Sequence, residues 1–134
     1  MNETGTKNKE LIREAFKQVF GSATFSEDVI AQYFTSNYQQ WVDGRCLNFK
    51  DFVQHIKAQK ARVEAVSIEF KSLIAEGNRV ASVHLIDAVT VTGNPVKGRV
   101  MAVFTIENDK IAHCEELTFI EEAEDGDRDL GHVK

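Results

Sequence analysis

Proline and tryptophan occur once each and cysteine twice in these 134 residues, and 16 basic side chains are outnumbered by 21 acidic ones. Each scarcity excludes something. A net charge of −5 argues against non-specific affinity for nucleic acid, which needs a basic surface. Lys7, Lys9, Arg13 and Lys17 do gather positive charge on the first helix, where it reads as a solvated outer face. No apolar run approaches the ~20 residues that span a bilayer. The N-terminal MNETGTKNKE holds no hydrophobic signal region, so the chain is expected to be unexported and cytoplasmic. In that setting Cys46 and Cys114, without CxxC spacing, are expected to be reduced thiols. GxSxG, P-loop and dinucleotide-binding glycine patterns are all missing, and no cofactor is expected.

What is present suffices for one core: the apolar share is 43%, with nine Phe, near the commonest domain size. Residues 1–7 are polar and expected to be flexible. Asn8 is placed to cap a helix whose stripe of Leu11, Ile12, Ala15, Phe16, Val19 and Phe20 recurs at helical spacing and stops at Gly21. Ser26 starts a shorter helix, stapled by Phe25 and Ile30, that would bury Val29, Ile30, Tyr33 and Phe34. Residues 38–44 (YQQWVDG) read as a short strand ending in a turn. Asn48 caps a third helix with Phe49, Phe52, Val53 and Ile56 on one side.

From Ala65 the apolar period changes to two. Gly77-Asn78, Gly93-Asn94 and Asn108-Asp109 divide the rest into four β runs, roughly 65–76, 79–92, 95–107 and 110–120. Each dipeptide tolerates the positive φ of a two-residue hairpin turn. Pro95 falls beside a turn, where its missing N–H does little harm. The order of helices, one short strand, a helix and a meander predicts an α+β domain over 8–120. Residues 121–134 (EEAEDGDRDLGHVK) form an acidic tail too charged to build core.

These elements, with the Asp-Gly turn at 43–44 and the closing NDKIAHCEELTFI, resemble the nuclear transport factor 2-like superfamily. Within it the chain is most similar to the SnoaL-like group of polyketide cyclases and ketosteroid isomerase relatives. The resemblance implies a cystatin-like cone: a strongly curved antiparallel sheet wrapped around three N-terminal helices, holding a hydrophobic pocket. It also implies a homodimer through the outer sheet face. Ketosteroid isomerases use a carboxylate on the short strand and a protonated Asp deeper in. By resemblance those positions fall near Trp41 and Ala102, neither of them acidic, so steroid isomerisation is not expected.

Two-residue turns would pair Phe70 with Leu85, Leu85 with Ala102, and Ala102 with Glu115. One sheet face then carries Ile68, Phe70, Ile74, Ala81, Val83, Leu85, Val89, Val100, Ala102, Phe104, Ile106, Ile111, Leu117 and Phe119. Asp87, His113 and Glu115 land among them. Burying such groups costs several kcal/mol or shifts their pKa values, which suits proton transfer. The backbones of Asp87 and Glu115 would lie about 12 Å apart, close enough to share one ligand. A β-bulge would instead turn Asp87 out to solvent, Glu115 could pair with a buried Arg or Tyr, and His113 could be half solvated near its turn.

The opposite face would carry Glu69, Lys71, Leu73, His84, Ile86, Arg99, Met101, Val103, Cys114, Glu116 and Ile120, a mixture suited to a dimer interface, with an Arg99–Glu116 ion pair. Tyr33, Tyr38 and Trp41 would shape the pocket rim or pack in the core, with Phe70, Leu85, Ala102 and Phe104 completing the ligand-binding wall. Asp43 reads as a turn residue or a rim acid, and His55 as a helix-edge residue meeting solvent. No set of His, Cys and acids has metal-ligand spacing, and neither cysteine has an evident basic partner.

The functional expectation is a cofactor-free lyase or isomerase moving a proton on a small hydrophobic or aromatic ligand, with Asp87 or Glu115 as acid/base assisted by His113. The alternatives are a non-catalytic domain holding a hydrophobic metabolite and a pure dimerisation module.

Overall fold

The computed structural model describes residues 3–22 and 24–124. Helix α1 (Glu3–Ala15) runs into a π-helical turn (Phe16–Phe20), followed by α2 (Glu27–Tyr33), β1 (Phe34–Val42), β2 (Arg45–Asn48) and α3 (Phe49–Arg62). Four long strands complete the chain: β3 (Val63–Glu76), β4 (Arg79–Thr90), β5 (Pro95–Glu107) and β6 (Lys110–Glu122). All six strands form one curved, unclosed sheet in the order β2-β1-β6-β5-β4-β3. The helices pack on its inner face, as the α+β cone requires. The sheet is mixed rather than wholly antiparallel, because β1 runs parallel to β6.

Helix α1 begins at Glu3, so residues 3–7 are helical where flexible chain was expected. Asn8 is not its cap. It lies inside the helix, buried, and its Nδ2 donates to the Gly77 carbonyl at 3.3 Å, tying α1 to the β3–β4 turn. At the other end the Gly21 N–H donates to the Phe16 carbonyl, five residues back, at 2.9 Å, which makes the wider turn a π-bulge. That turn keeps Phe16, Val19 and Phe20 all against the core. The caps of the other two helices form as expected: Val29 N–H donates to Ser26 Oγ at 3.3 Å, and Asp51 N–H to Asn48 Oδ1 at 2.8 Å.

The strand expected from residue 38 starts at Phe34 and buries Phe34, Tyr38, Gln40 and Val42 at alternate positions. Asp43 and Gly44 then adopt positive φ (50° and 85°) and turn the chain into β2, a strand the sequence reading lacks. The tail expected over 121–134 starts within β6, and positions 125–134 lie outside the described residues.

Three irregularities in the meander reverse much of the expected facing. Gly77-Asn78 and Asn108-Asp109 are two-residue turns as expected, with Glu76 opposite Arg79 and Glu107 opposite Lys110. Beyond the first, however, the register slips between Phe70 and Ser72. β4 and β5 are joined by residues 91–94 rather than by Gly93-Asn94 alone. Thr90 closes that wider loop, its N–H donating to the Asn94 carbonyl at 2.9 Å and its Oγ1 accepting from Asn94 N–H at 3.1 Å. In β6, Ile111 and Ala112 are both buried, and the register shifts by one between Ile106↔Ile111 and Thr105↔His113. Each irregularity exchanges the two faces of a strand from that point on.

Consequently Val80, Ser82, His84 and Ala88 of β4 point inward with Val100, Ala102 and Phe104 of β5 and Cys114 of β6. Leu73 and Ile86, expected outside, also pack on the core. Ile74, Val89, Leu117 and Phe119, expected inside, are exposed. The inner face is bound together by aromatic contacts: Phe34, Tyr38 and Phe52 meet at 4.7–4.8 Å between ring centroids, and Phe16 meets Phe70 and Phe104 edge-on. Among the described residues no helix is long and apolar enough to cross a membrane.

Gly21 does not need a positive φ, but a Cβ there would sit 2.9 Å from the Lys17 carbonyl oxygen. Gly21→Ala is therefore expected to lower stability by about 1–3 kcal/mol through overpacking against backbone, measured as a lower urea midpoint. An unchanged midpoint would show that the π-turn relaxes freely.

Candidate functional site

Sheet and helices enclose a cavity of about 90 Å³ near the middle of the cone, walled by Phe16, Phe20, Phe34, Phe52 and Phe104. Its polar wall is made by Tyr38, Gln40, His55, Gln59, His84, Cys114, Glu116 and Thr118. Phe20, Gln59, Ile68, Ile86 and Thr118 also border a second hollow of about 150 Å³, lined further by Val66, Ala88, Val96, Gly98, Ile120 and Lys60. The two hollows adjoin along these shared walls. The amine of Lys60 donates to the Ser22 carbonyl.

Tyr38 and Gln40 are two apart on β1 and point the same way. Cys114 and Glu116 do likewise on the neighbouring β6, where Gln40 stands beside Cys114. This juxtaposition builds a hydrogen-bonded chain. The Tyr38 hydroxyl donates to Gln40 Oε1 at 2.7 Å, and Gln40 Nε2 donates to Glu116 Oε1 at 3.0 Å. Burial, followed by the nearby Cys114 and Glu116, raises the Tyr38 phenol well above its ordinary value, so it stays a donor. Burial likewise raises the Cys114 thiol, which makes it a poor nucleophile.

Glu116 is the group with unusual proton affinity. Burial, with a smaller contribution from Asp43, pushes its carboxyl up to about 7. The residue is half-buried, one edge opening on the cavity. Asp43 acts from the rim: its N–H donates to the Glu116 carbonyl at 3.0 Å, and its Oδ1 accepts from Thr118 N–H at 2.8 Å. It thus extends the β1–β6 ladder beyond the point where β1 turns away.

On β4, His84 is buried, with Nδ1 3.0 Å from Ser82 Oγ and its ring 5.0 and 5.3 Å from those of Phe16 and Phe70. Burial lowers its pKa to about 4, so it is a neutral imidazole at neutral pH. His55, expected at a solvent edge, is buried on α3 and lines the cavity. The described residues hold no cluster of His, Cys and acids suited to a metal.

The sequence-predicted acids are elsewhere. Asp87 is exposed on the outer face opposite Lys97, and Glu115 is exposed beside Trp41. His113 is half-buried between Gln39 and Thr105 and does not line the cavity. The wider β4–β5 loop moves Asp87 and the bulge at Ala112 moves the other two. Of the expected ligand wall, Tyr38 and Phe104 line the cavity, while Phe70 packs on the rings of Phe16 and His84. Ala102 is buried between Ser82 and Glu116 in register. Leu85 is on the outer face, Trp41 is 42% exposed, and Tyr33 packs half-buried against the core.

His84, Cys114 and Glu116, expected at a dimer surface, face inward, whereas Arg99, Met101 and Val103 do face outward. No Arg99–Glu116 pair forms, since Arg99 stands opposite Phe119 and its guanidinium lies 3.9 Å from Glu121. The run His113-Cys114-Glu115-Glu116 puts an acid on either face, so alternation alone could not choose between them. The available clue was Ile111-Ala112, two consecutive apolar residues where an unbroken strand would alternate.

Residues 12–114 match the family model of the SnoaL-like domain. The chain belongs to the SnoaL-like family. An uncharacterised protein of Schizosaccharomyces pombe is 32% identical to this SnoaL-like protein over 129 residues, covering 95% of this chain and 97% of its relative. Among solved structures, a Jannaschia Sp. CCS1 protein provisionally named a SnoaL-like polyketide cyclase is similar with a TM-score of 0.74 at 14% identity, covering 88% of this chain and 89% of that one. A Mycobacterium tuberculosis LEH-like epoxide hydrolase is similar with a TM-score of 0.69 at 15% identity, covering 94% and 89%. At these identities the likeness is one of fold.

Two titrations act in opposite directions on the stability of this domain. Glu116 has a folded pKa of about 7, above its ordinary 4.5. Its contribution is therefore complete below 4.5 and lost as pH rises through 7. His84 is shifted from 6.5 to about 4; its contribution is complete above 6.5 and lost as pH falls through 4. Between about pH 4.5 and 6.5 the two windows overlap with opposite slopes and largely cancel. Glu116→Gln should remove the falling slope, so that denaturant stability rises with pH through this window. A pH profile unchanged by the substitution, or a ¹³C carboxyl titration of Glu116 centred near 4.5, would refute the assignment.

Proposed function

We propose that this SnoaL-like protein is a cofactor-free acid/base catalyst that moves a proton on a small, largely apolar ligand, with Glu116 as the proton-exchanging group. The observation that carries this reading is a carboxyl with a pKa of about 7 on the wall of an aromatic cavity. A group half ionised near neutral pH can both take and return a proton, the condition for efficient general acid/base catalysis. Gln40, itself held by the Tyr38 hydroxyl, donates to one carboxylate oxygen, and the phenyl rings supply apolar surface for the ligand body. Two fold neighbours named for polyketide cyclisation and epoxide hydrolysis support the idea that such a cone suits chemistry on small organic molecules. A cytoplasmic setting accords with the free thiols of Cys46 and Cys114.

The proposal extends to a homodimer through the outer sheet face. Trp41, Ile74, Met101, Leu117 and Phe119 are all large, apolar and exposed, and a groove bordered by Trp41, Ile74, Val83, Met101 and Leu117 crosses this face. Such a surface favours burial against a second copy.

Exchange of α-protons for deuterium on a panel of small aromatic and alicyclic ketones, followed by NMR, tests the chemistry. The wild-type protein should exceed buffer, Glu116→Gln should lose at least about 100-fold of the enhancement, and Asp87→Asn and Glu115→Gln should keep it. Ketones that bind the wild type yet exchange no faster than in buffer would make it a binding domain. Light scattering tests the dimer: Met101→Glu with Leu117→Glu should halve the mass, and a monomeric wild type would refute the interface.

A further inference from the structure

Between the cavity of Glu116 and solvent lies the second hollow, whose wall is built differently. Across the sheet its floor is one row in register: Ile68, Ile86, Gly98 and Ile120. Gly98 and Ala88 are both buried on the inner face with little or no side chain, and the space above them is the hollow of about 150 Å³. From the other side Phe20 of the π-turn closes over it, with Ile56, Gln59 and Lys60 at helical spacing on one face of α3.

The two ends of this hollow differ in chemistry. Its inner end shares Phe20, Ile68, Ile86 and Thr118 with the aromatic cavity. Its outer end is bordered by the exposed Gly21, Glu64 and Ala65. Lys60 stands at this mouth, the one Lys or Arg among the described residues that line either hollow. Its half-buried ammonium donates to the Ser22 carbonyl, and no acid among the described residues pairs with it. Glu64, four residues on and the only acid on this wall, is exposed and makes no ion pair with it. Two of the three ammonium N–H donors are therefore left over. Burial pulls the Lys60 pKa below its ordinary 10.5, and an anion seated at the mouth would restore what the charge loses in leaving water.

We propose that this hollow binds an apolar monocarboxylate, its hydrocarbon body on the Ile68–Ile86–Gly98–Ile120 row and its carboxylate on the Lys60 ammonium at the mouth. A cationic ligand would meet Lys60 as a like charge. A neutral hydrocarbon would leave the ammonium donors unanswered. A phosphate dianion would call for a second cation, and none lines the hollow, while Glu64 stands at the same mouth. One ammonium above an apolar floor matches one negative charge on an apolar body. Glu116 and Ile120 are four residues apart on β6, about 13 Å along the strand, so a carboxylate at the mouth stays well clear of the Glu116 carboxyl. The far end of the body points toward Glu116, and for that end alone the inference rests on the proton-transfer reading above.

Octanoate, octanol and octylamine share one body and differ at the end group, so NMR titration with the three isolates the contact with Lys60. At neutral pH the wild type should bind octanoate about tenfold more tightly than octanol, the weight of a charge-assisted hydrogen bond at a half-exposed site, and octylamine most weakly. Added salt should shrink the preference. Lys60→Met should erase it, as should Lys60→Gln, which keeps a donor for the Ser22 carbonyl, whereas Lys60→Arg should retain most of it. Ala88→Leu, which fills the hollow, should weaken octanoate and octanol alike. Equal affinity of the wild type for acid and alcohol would reduce Lys60 to a tie between α3 and Ser22. A preference that survives in folded Lys60→Gln, an Ala88→Leu protein that binds both probes unchanged, or no binding of octanoate would equally overturn the assignment. A Lys60-dependent preference in a protein that exchanges no ketone protons leaves this site standing and removes the catalytic reading of Glu116. Glu116-dependent exchange without the preference does the reverse.

Discussion

One extra residue in β6 decides which carboxylate the cone encloses. Side chains on a strand alternate strictly, so the added position at Ala112 gives the inner face to Cys114 and Glu116 and the outer face to His113 and Glu115. Everything at the cavity depends on that exchange. With Glu116 inside, Gln40 of the parallel neighbour β1 has a carboxylate to donate to, and Tyr38 has Gln40. Without the bulge the same strands would present His113 and Glu115 to the rings in place of Cys114 and Glu116.

The architecture was readable because it rests on long-range patterns that tolerate local error. The stripe from Leu11 to Phe20, the caps at Ser26 and Asn48, and the period-two runs after Ala65 each required several residues to agree. The site was poorly readable because it rests on parity, where one residue reverses the result. At Gly93-Asn94 the dipeptide suggested a tight turn, but Thr90 bonds Asn94 through both backbone and side chain and widens the loop. The wider loop, together with the slip between Phe70 and Ser72, puts Asp87 outside and His84 inside. Tyr38 and Phe104 line the cavity because each sits on the buried phase of its strand. Trp41, the more conspicuous aromatic, sits on the opposite phase of β1.

Polar residues inside the cone are few and nearly all are bonded to one another. Tyr38, Gln40 and Glu116 make one chain, and Ser82 and His84 make another. Such clusters are costly when incomplete and rigidifying when complete. The aromatic contacts of Phe16 with Phe20, Phe70, His84 and Phe104 make the π-helical turn the piece that holds the imidazole in place. Helix geometry at residues 16–20 is in this way part of the cavity wall as much as of the scaffold.

The rim residue Asp43 joins two properties that other proteins can vary separately. Its carboxylate is a stitch in the seam between β1 and β6, and the same negative charge helps to set how tightly Glu116 holds its proton. Any substitution that retunes the acid from this position also loosens or reshapes the mouth of the cone. Proton affinity and aperture are therefore inherited together, and a relative with a different residue at this turn must differ in both.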